Sequence, residues 1–229
     1  MIDGKLKVCI DFKSPYAFVA HQFIWSIETE YGYEIDWLPL TLNIGSFLGT
    51  ATKQAGGQVS ASNRSPQQWS VVKEAYRDAR RYAEHQGLTL KGPLKVWDSS
   101  FASMALIWSQ SKAPTRHHLQ RFMTTLFQRF WIRDFDLQDI QALCALMQAS
   151  AIESDGFNRF CAEEGRQQHD ALQEQLLAQG VYGVPTFLID DEVFFGREQI
   201  DTVLWRLQGS VGPMPLLRYP WGDKGSAAI

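Results

Sequence analysis

Residues 11–18 read Asp-Phe-Lys-Ser-Pro-Tyr-Ala-Phe, "DFKSPYAF", at the end of the apolar segment "LKVCIDF" (6–12). The apolar segment predicts a first β-strand, and the Ser14-Pro15 pair predicts that a helix starts directly after it. A serine at the N-cap accepts a hydrogen bond from an otherwise unpaired amide, and a proline at the first helical position has no N–H to lose. Ala17, Ala20, Ile24, Ile27 and Tyr31 then recur at helical spacing, and Gly32 offers a left-handed stop. The next segment, "YEIDWLPL" (33–40), alternates as a second strand does. A β-α-β unit follows, with parallel strands and a right-handed crossover.

Beyond the second strand, "NIGSFLGTATKQAGGQVSASNRS" (43–65) is polar and glycine-rich and is expected to be a long functional loop. Ser65-Pro66 repeats the helix-start signal with Gln68 at the capping-box position, and Trp69, Val72, Tyr76, Ala79 and Ala83 form an apolar stripe that ends before Gly87. Further helices are expected near 99–111, 115–131, 137–149 and 155–163, with Gly165 interrupting the block before a helix at 166–179. Strand character returns in "PTFLID" (185–190) and "EVFF" (192–195), which flank a short polar turn as in a hairpin. A last helix is expected at 197–207, followed by an extended Pro/Gly-rich tail.

The order β-α-β, helical block, α-β-β-α is a thioredoxin-like arrangement with a large all-helical insertion, an α/β fold. Residues 1–45 and 166–208 are expected to form the discontinuous thioredoxin-like domain, 46–165 the loop and helical insertion, and 209–229 a tail. Such an arrangement leaves a cleft between two lobes, where small-molecule sites are common.

The 229 residues are 45% apolar, enough for a full core, and carry a net charge of −3 with no basic run, which argues against nucleic acid as a partner. No signal pattern and no long uncharged apolar run is present, so a cytoplasmic location and no membrane association are expected. Cys9, Cys144 and Cys161 are odd in number and lack metal-ligand or CxxC spacing. They are expected to pack as small apolar side chains, with no metal site.

"SPYA" (14–17) after the first strand and "GVPTF" (183–187) before the hairpin resemble two segments of DsbA-type thiol-disulfide oxidoreductases. There the first carries C-P-H-C and the second a cis-proline. Ser14 and Ala17 stand where those proteins have cysteines. Within that group "DFKSPYAF" resembles the "SPY" signature of 2-hydroxychromene-2-carboxylate isomerases and kappa-class glutathione transferases. The resemblance implies glutathione as cofactor, a small aromatic or electrophilic substrate as partner, and a possible homodimer. It implies that Ser14 stabilises the glutathione thiolate, with Pro15 and Tyr16 beside it. The backbone of Val184 ahead of Pro185 would pair with the peptide, and Arg197 and Glu198 in "GREQ" (196–199) would hold the γ-glutamyl end. Asn63, with Arg64 and Lys73, is a candidate for the glutathione carboxylate side. The residues themselves agree with a non-covalent role for Ser14, since no local His or Asp stands ready to activate it.

Two other functions fit the same fold. A non-catalytic thioredoxin-like module could bind peptides in the cleft, and a dithiol oxidoreductase relative would need the cysteine pair that this chain lacks.

Overall fold

The computed structural model describes residues 6–215. Strand β1 (Leu6–Ile10) runs parallel to β2 (Ile35–Pro39), with Leu6 opposite Ile35 and Ile10 opposite Pro39. Helix α1 (Pro15–Tyr31) makes the crossover and ends at Gly32, whose φ of 78° is the left-handed conformation that glycine adopts without a Cβ clash. β5 (Thr186–Ile189) adds antiparallel to β1, and β6 (Glu192–Phe195) closes the hairpin, giving one sheet in the order β2-β1-β5-β6. The final helix, α9 (Ile200–Leu207), is preceded by a single 3₁₀ turn at Arg197–Gln199, so the last expected helix divides in two. The fold is thus the thioredoxin-like arrangement with its helical insertion.

The insertion contains α3 (Pro66–His85), α4 (Ser100–Lys112), α5 (Arg116–Trp131), α6 (Ile140–Ala149) and α7 (Phe157–Ala162). Helix α8 (Glu164–Ala178) returns to the sheet but packs on α4 and α7, and α4 also packs on β2. The break before α8 falls at Glu163 rather than at the expected Gly165. Gly165 lies inside the first turn of α8, because a Cβ there would come within 2.4 Å of the Phe160 ring and 2.7 Å of the Phe160 carbonyl. Its role is close packing between α7 and α8.

The segment 43–65 is not the featureless loop that its composition suggested. It forms a short helix α2 (Ile44–Leu48) and a hairpin of β3 (Ala51–Lys53) and β4 (Val59–Ser62). All four residues of β4 are exposed, so the strand leaves no apolar alternation in the sequence. Local hydrogen bonds hold it instead. Thr50 N–H donates to Asn63 Oδ1 at 2.6 Å, and Lys53 N–H donates to the Leu94 carbonyl at 2.6 Å.

Phe12 and Phe18 reach from the β1–α1 turn into α5, meeting Phe127 at 4.8 and 5.9 Å between ring centres, and Trp25 packs on Trp37 at 5.0 Å. These aromatics join the insertion to the sheet in one core. The apolar stripe of α1 stops at Ile27; Tyr31 is exposed. Tyr219 and Trp221 of the tail lie outside the described residues. No helix among the described residues is long and apolar enough to cross a membrane.

The three thiols are free. Burial pushes the Cys9 and Cys161 thiols up to about 12, with Asp36 adding to the effect at Cys9, and burial also raises Cys144. His21 is fully buried among Phe18 and Phe127, with Nδ1 2.8 Å from the Phe18 carbonyl. Burial lowers its pKa from 6.5 to about 4.

An unfolded His21 takes up a proton below pH 6.5, whereas the folded one stays neutral until about pH 4. Its contribution is therefore complete above pH 6.5 and is lost as pH falls toward 4, a loss on the order of 3 kcal/mol. Urea unfolding of wild type and His21→Phe between pH 4 and pH 7 is expected to show a shallower stability slope in the variant. Equal slopes would exclude His21 as the source.

Candidate functional site

Asp11 organises the turn between β1 and α1. Its Oδ1 accepts from Lys13 N–H at 3.0 Å, and its Oδ2 accepts from Leu42 N–H at 2.8 Å. The Lys13 ammonium lies 3.3 Å from Oδ2 and donates to Ser99 Oγ at 2.9 Å. Both side chains are buried, so this ion pair fixes the turn to the segment leaving β2 and to the start of α4.

Ser14 follows directly. Its Oγ accepts from Ala17 N–H at 3.2 Å as the N-cap of the 17-residue α1. The same hydroxyl donates to the Val184 carbonyl at 3.4 Å, near the outer limit for an O–H donor, so little is lost when it turns to a better acceptor. The helix N-terminus adds partial positive charge at this point.

The Val184–Pro185 peptide is cis. The turn before β5 is held by Thr186 Oγ1, which donates to the Gly183 carbonyl at 2.8 Å. Gly183 is required there, since a Cβ would sit 2.5 Å from the Phe195 ring. Among the described residues no acceptor takes the Val184 N–H. It is available to an added extended peptide.

Two cavities meet at Tyr16, Val184 and Phe195, which line both. One, about 620 Å³, contains Ser14 and Pro15 and extends between the β3–β4 hairpin, α3 and the 92–97 segment. Trp69, Tyr76 and Trp97 give it aromatic walls, and its charged lining is entirely cationic: Lys13, Lys53, Arg64, Lys73, Arg77, Arg80 and Lys95. Burial pushes the Tyr76 hydroxyl up to about 12 against the pull of Arg64 and Arg80.

The other cavity, about 600 Å³, lies between α1, α3 and the Gly196–Glu198 turn. Arg197 crosses it. Its guanidinium carbon is 4.6 Å from the Tyr16 ring centre and 4.1 Å from that of Tyr82, and it forms an ion pair with Asp78. Burial opposes the Arg197 charge, but the hydrogen bonds to Asp78 and Tyr82 outweigh it and raise the pKa. Burial, then Asp78, raise that of Tyr16.

The DSBA-like thioredoxin domain model matches residues 5–208. The chain belongs to that family. Like this DSBA-like chain, a 2-hydroxychromene-2-carboxylate isomerase of Pseudomonas sp. (strain C18) spans most of both sequences, 25% identical over 210 residues, 90% of this chain and 89% of the relative. A solved 2-hydroxychromene-2-carboxylate isomerase superposes with a TM-score of 0.65 at 18% identity, covering 91% of this chain and 95% of the other. The cytosolic disulfide reductase DsbM of Pseudomonas aeruginosa, solved with GSH, superposes with a TM-score of 0.57 at 12% identity, covering 91% and 99%.

Of the residues singled out in this DSBA-like sequence, Ser14, Pro15, Tyr16 and Val184 converge on the first cavity, while Pro185, Arg197 and Glu198 face the second. Asn63 does not line either cavity; its carboxamide oxygen is taken by Thr50 N–H in the hairpin. Its neighbours Arg64 and Lys73 do line the first. The sequence reading missed Lys13, Lys53, Arg77, Arg80 and Lys95. Lys73, Arg77 and Arg80 stand at i, i+4 and i+7 on α3, a spacing that places them on one helix face and was readable as a cationic stripe.

Removing the Asp11 carboxylate strands a buried ammonium and two amides. Asp11→Ala is expected to cost about 3–5 kcal/mol in urea unfolding, and Asp11→Ala/Lys13→Met to recover part of that loss. A double variant as unstable as the single one would show that the amide contacts alone carry the effect.

Proposed function

We propose that this chain is a glutathione-dependent enzyme that isomerises or conjugates an aromatic or otherwise electrophilic small molecule, in the manner of a 2-hydroxychromene-2-carboxylate isomerase. The observation that carries this reading is the Ser14 hydroxyl. It is fixed at a helix N-terminus, weakly engaged as a donor, and set in the wall of an aromatic cavity whose charged lining is entirely cationic.

The site residues fit glutathione at two points. The unengaged Val184 N–H ahead of β5 suits its peptide, and Ser14 with the α1 N-terminus suits its sulfur. Glu198, on the wall of the second cavity, would take the γ-glutamyl ammonium, whereas Arg197 is committed to Asp78 and the two tyrosine rings. Bound glutathione supplies a thiolate nucleophile. Ser14 would donate a hydrogen bond to the sulfur while Ala17 N–H holds the hydroxyl in place, and with the helix end it would favour the thiolate over the thiol. The cationic walls attract an acidic substrate, and Trp69, Tyr76 and Trp97 stack on its ring.

The thioredoxin-like part, 1–45 and 166–208, would then hold the cofactor, while 46–165 would supply the substrate walls. The curated relatives named as isomerases support this reading, and so does the GSH bound in the DsbM structure. Disulfide exchange at this position fits poorly. Serine and alanine occupy positions 14 and 17, and burial keeps Cys9 protonated inside β1.

Calorimetry of glutathione on wild type and Ser14→Ala, with the thiolate absorbance followed against pH, tests the proposal. Binding by both proteins is expected, with the bound thiolate of Ser14→Ala appearing about one pH unit higher, the worth of one charge-assisted hydrogen bond. No binding, or the same titration in both, would overturn it.

A further inference from the structure

The cationic lining of the larger cavity is more than one acidic group requires. Of its seven basic side chains, Lys13 is paired with Asp11 and Arg77 with Glu74 at 2.8 Å. Lys53, Arg64, Lys73, Arg80 and Lys95 have no carboxylate within ion-pair distance among the described residues.

Three of these five line the same end of the cavity: Lys53 and Arg80 are held on the 90–94 segment, and Arg64 by the Gly49 carbonyl. Gly92 and Leu94 anchor that segment: Arg133 Nε donates to the Gly92 carbonyl at 2.9 Å, and the backbone of Lys53 is tied to Leu94. Arg80 Nε donates to the Leu90 carbonyl at 3.3 Å, with its guanidinium 5.8 Å from the Tyr76 ring centre. Arg64 donates through Nε and Nη2 to the Gly49 carbonyl at 3.4 Å and lies 5.0 Å from the Trp69 ring centre. Each arginine is thus held by a backbone carbonyl with further N–H groups to spare, and none of those bonds neutralises its charge. Lys53 is half-buried beside them. Burial first, then Arg133, Arg80 and Arg64, lower its pKa.

Like charges gathered in a partly desolvated wall are unfavourable until an anion joins them. The cluster belongs to β3, the loop after β4 and α3, whereas Ser14 and Val184 belong to the α1 N-terminus and the 183–185 turn. An aromatic ligand stacked on Trp69 and Tyr76 between these walls can present one acidic group to the cluster and keep another for the Ser14 side.

We propose that Lys53, Arg64 and Arg80 form an anion subsite, and that the substrate is a small aromatic compound carrying two acidic groups. This rests on the reading above of the cavity as the substrate end of the site. The subsite itself needs no glutathione, so the two readings fail separately.

The test is calorimetry of the full chain without glutathione, using benzoate, phthalate and isophthalate as probes. At least one dicarboxylate is expected to bind about tenfold more tightly than benzoate, the worth of one extra partly buried charge contact. In Lys53→Met/Arg80→Gln that preference is expected to fall to about unity, while benzoate affinity changes far less. Lys53→Met alone, which removes a repelled charge and no side-chain hydrogen bond, is expected to lose part of the preference and to retain the wild-type fold. Equal binding of mono- and dicarboxylates by wild type would overturn the proposal, as would a preference that survives the double variant. Displacement of the bound dicarboxylate by glutathione would assign the cluster to the cofactor's own carboxylate, and would overturn it equally.

Discussion

A single carboxylate holds the Ser14 end of this molecule together. Asp11 directly follows β1 and is flanked by buried Ile10 and Phe12, where a charge is costly, and offsets that cost by accepting from two backbone amides and pairing with the Lys13 ammonium. Those contacts join three stretches of chain: the end of β1, the segment after β2, and, through Ser99, the start of the helical insertion. Ser14 and the first turn of α1 are positioned by what precedes them, so the geometry of the hydroxyl depends on a buried charge pair.

That pair also shows what the sequence made legible. The helix starts at Ser14-Pro15 and Ser65-Pro66 were readable because capping is decided within four residues, and both serines cap as their neighbours require. The strands β1, β2 and β5 were legible as apolar or alternating runs between clear breaks. The pairing of Asp11 and Lys13 has no local signal in the sequence, because their burial is imposed by α4 and the β2 exit, which are distant in sequence.

The β3–β4 hairpin and the cationic cavity escaped notice for related reasons. The hairpin buries little and is held by main-chain and side-chain hydrogen bonds, so hydrophobic periodicity carries no trace of it. The cavity draws its charges from β3, the loop after β4, α3 and the 92–97 segment. Spread over that span, and offset by 25 acidic residues in the whole chain, they vanish from a net charge of −3. A local field of one sign is compatible with an overall balance of the other.

The state of the three cysteines has a chemical corollary. A protein that brings a thiolate and an electrophile together risks being modified by its own substrate, and the sulfur that reacts first is the one that is ionised and exposed. Here Cys9 and Cys161 are buried, and the thiol pKa of all three cysteines is raised by burial. The reactive sulfur would enter with a diffusible partner and leave with it, so that adducts which cannot be reversed are carried away in a replaceable molecule and the polypeptide stays unalkylated.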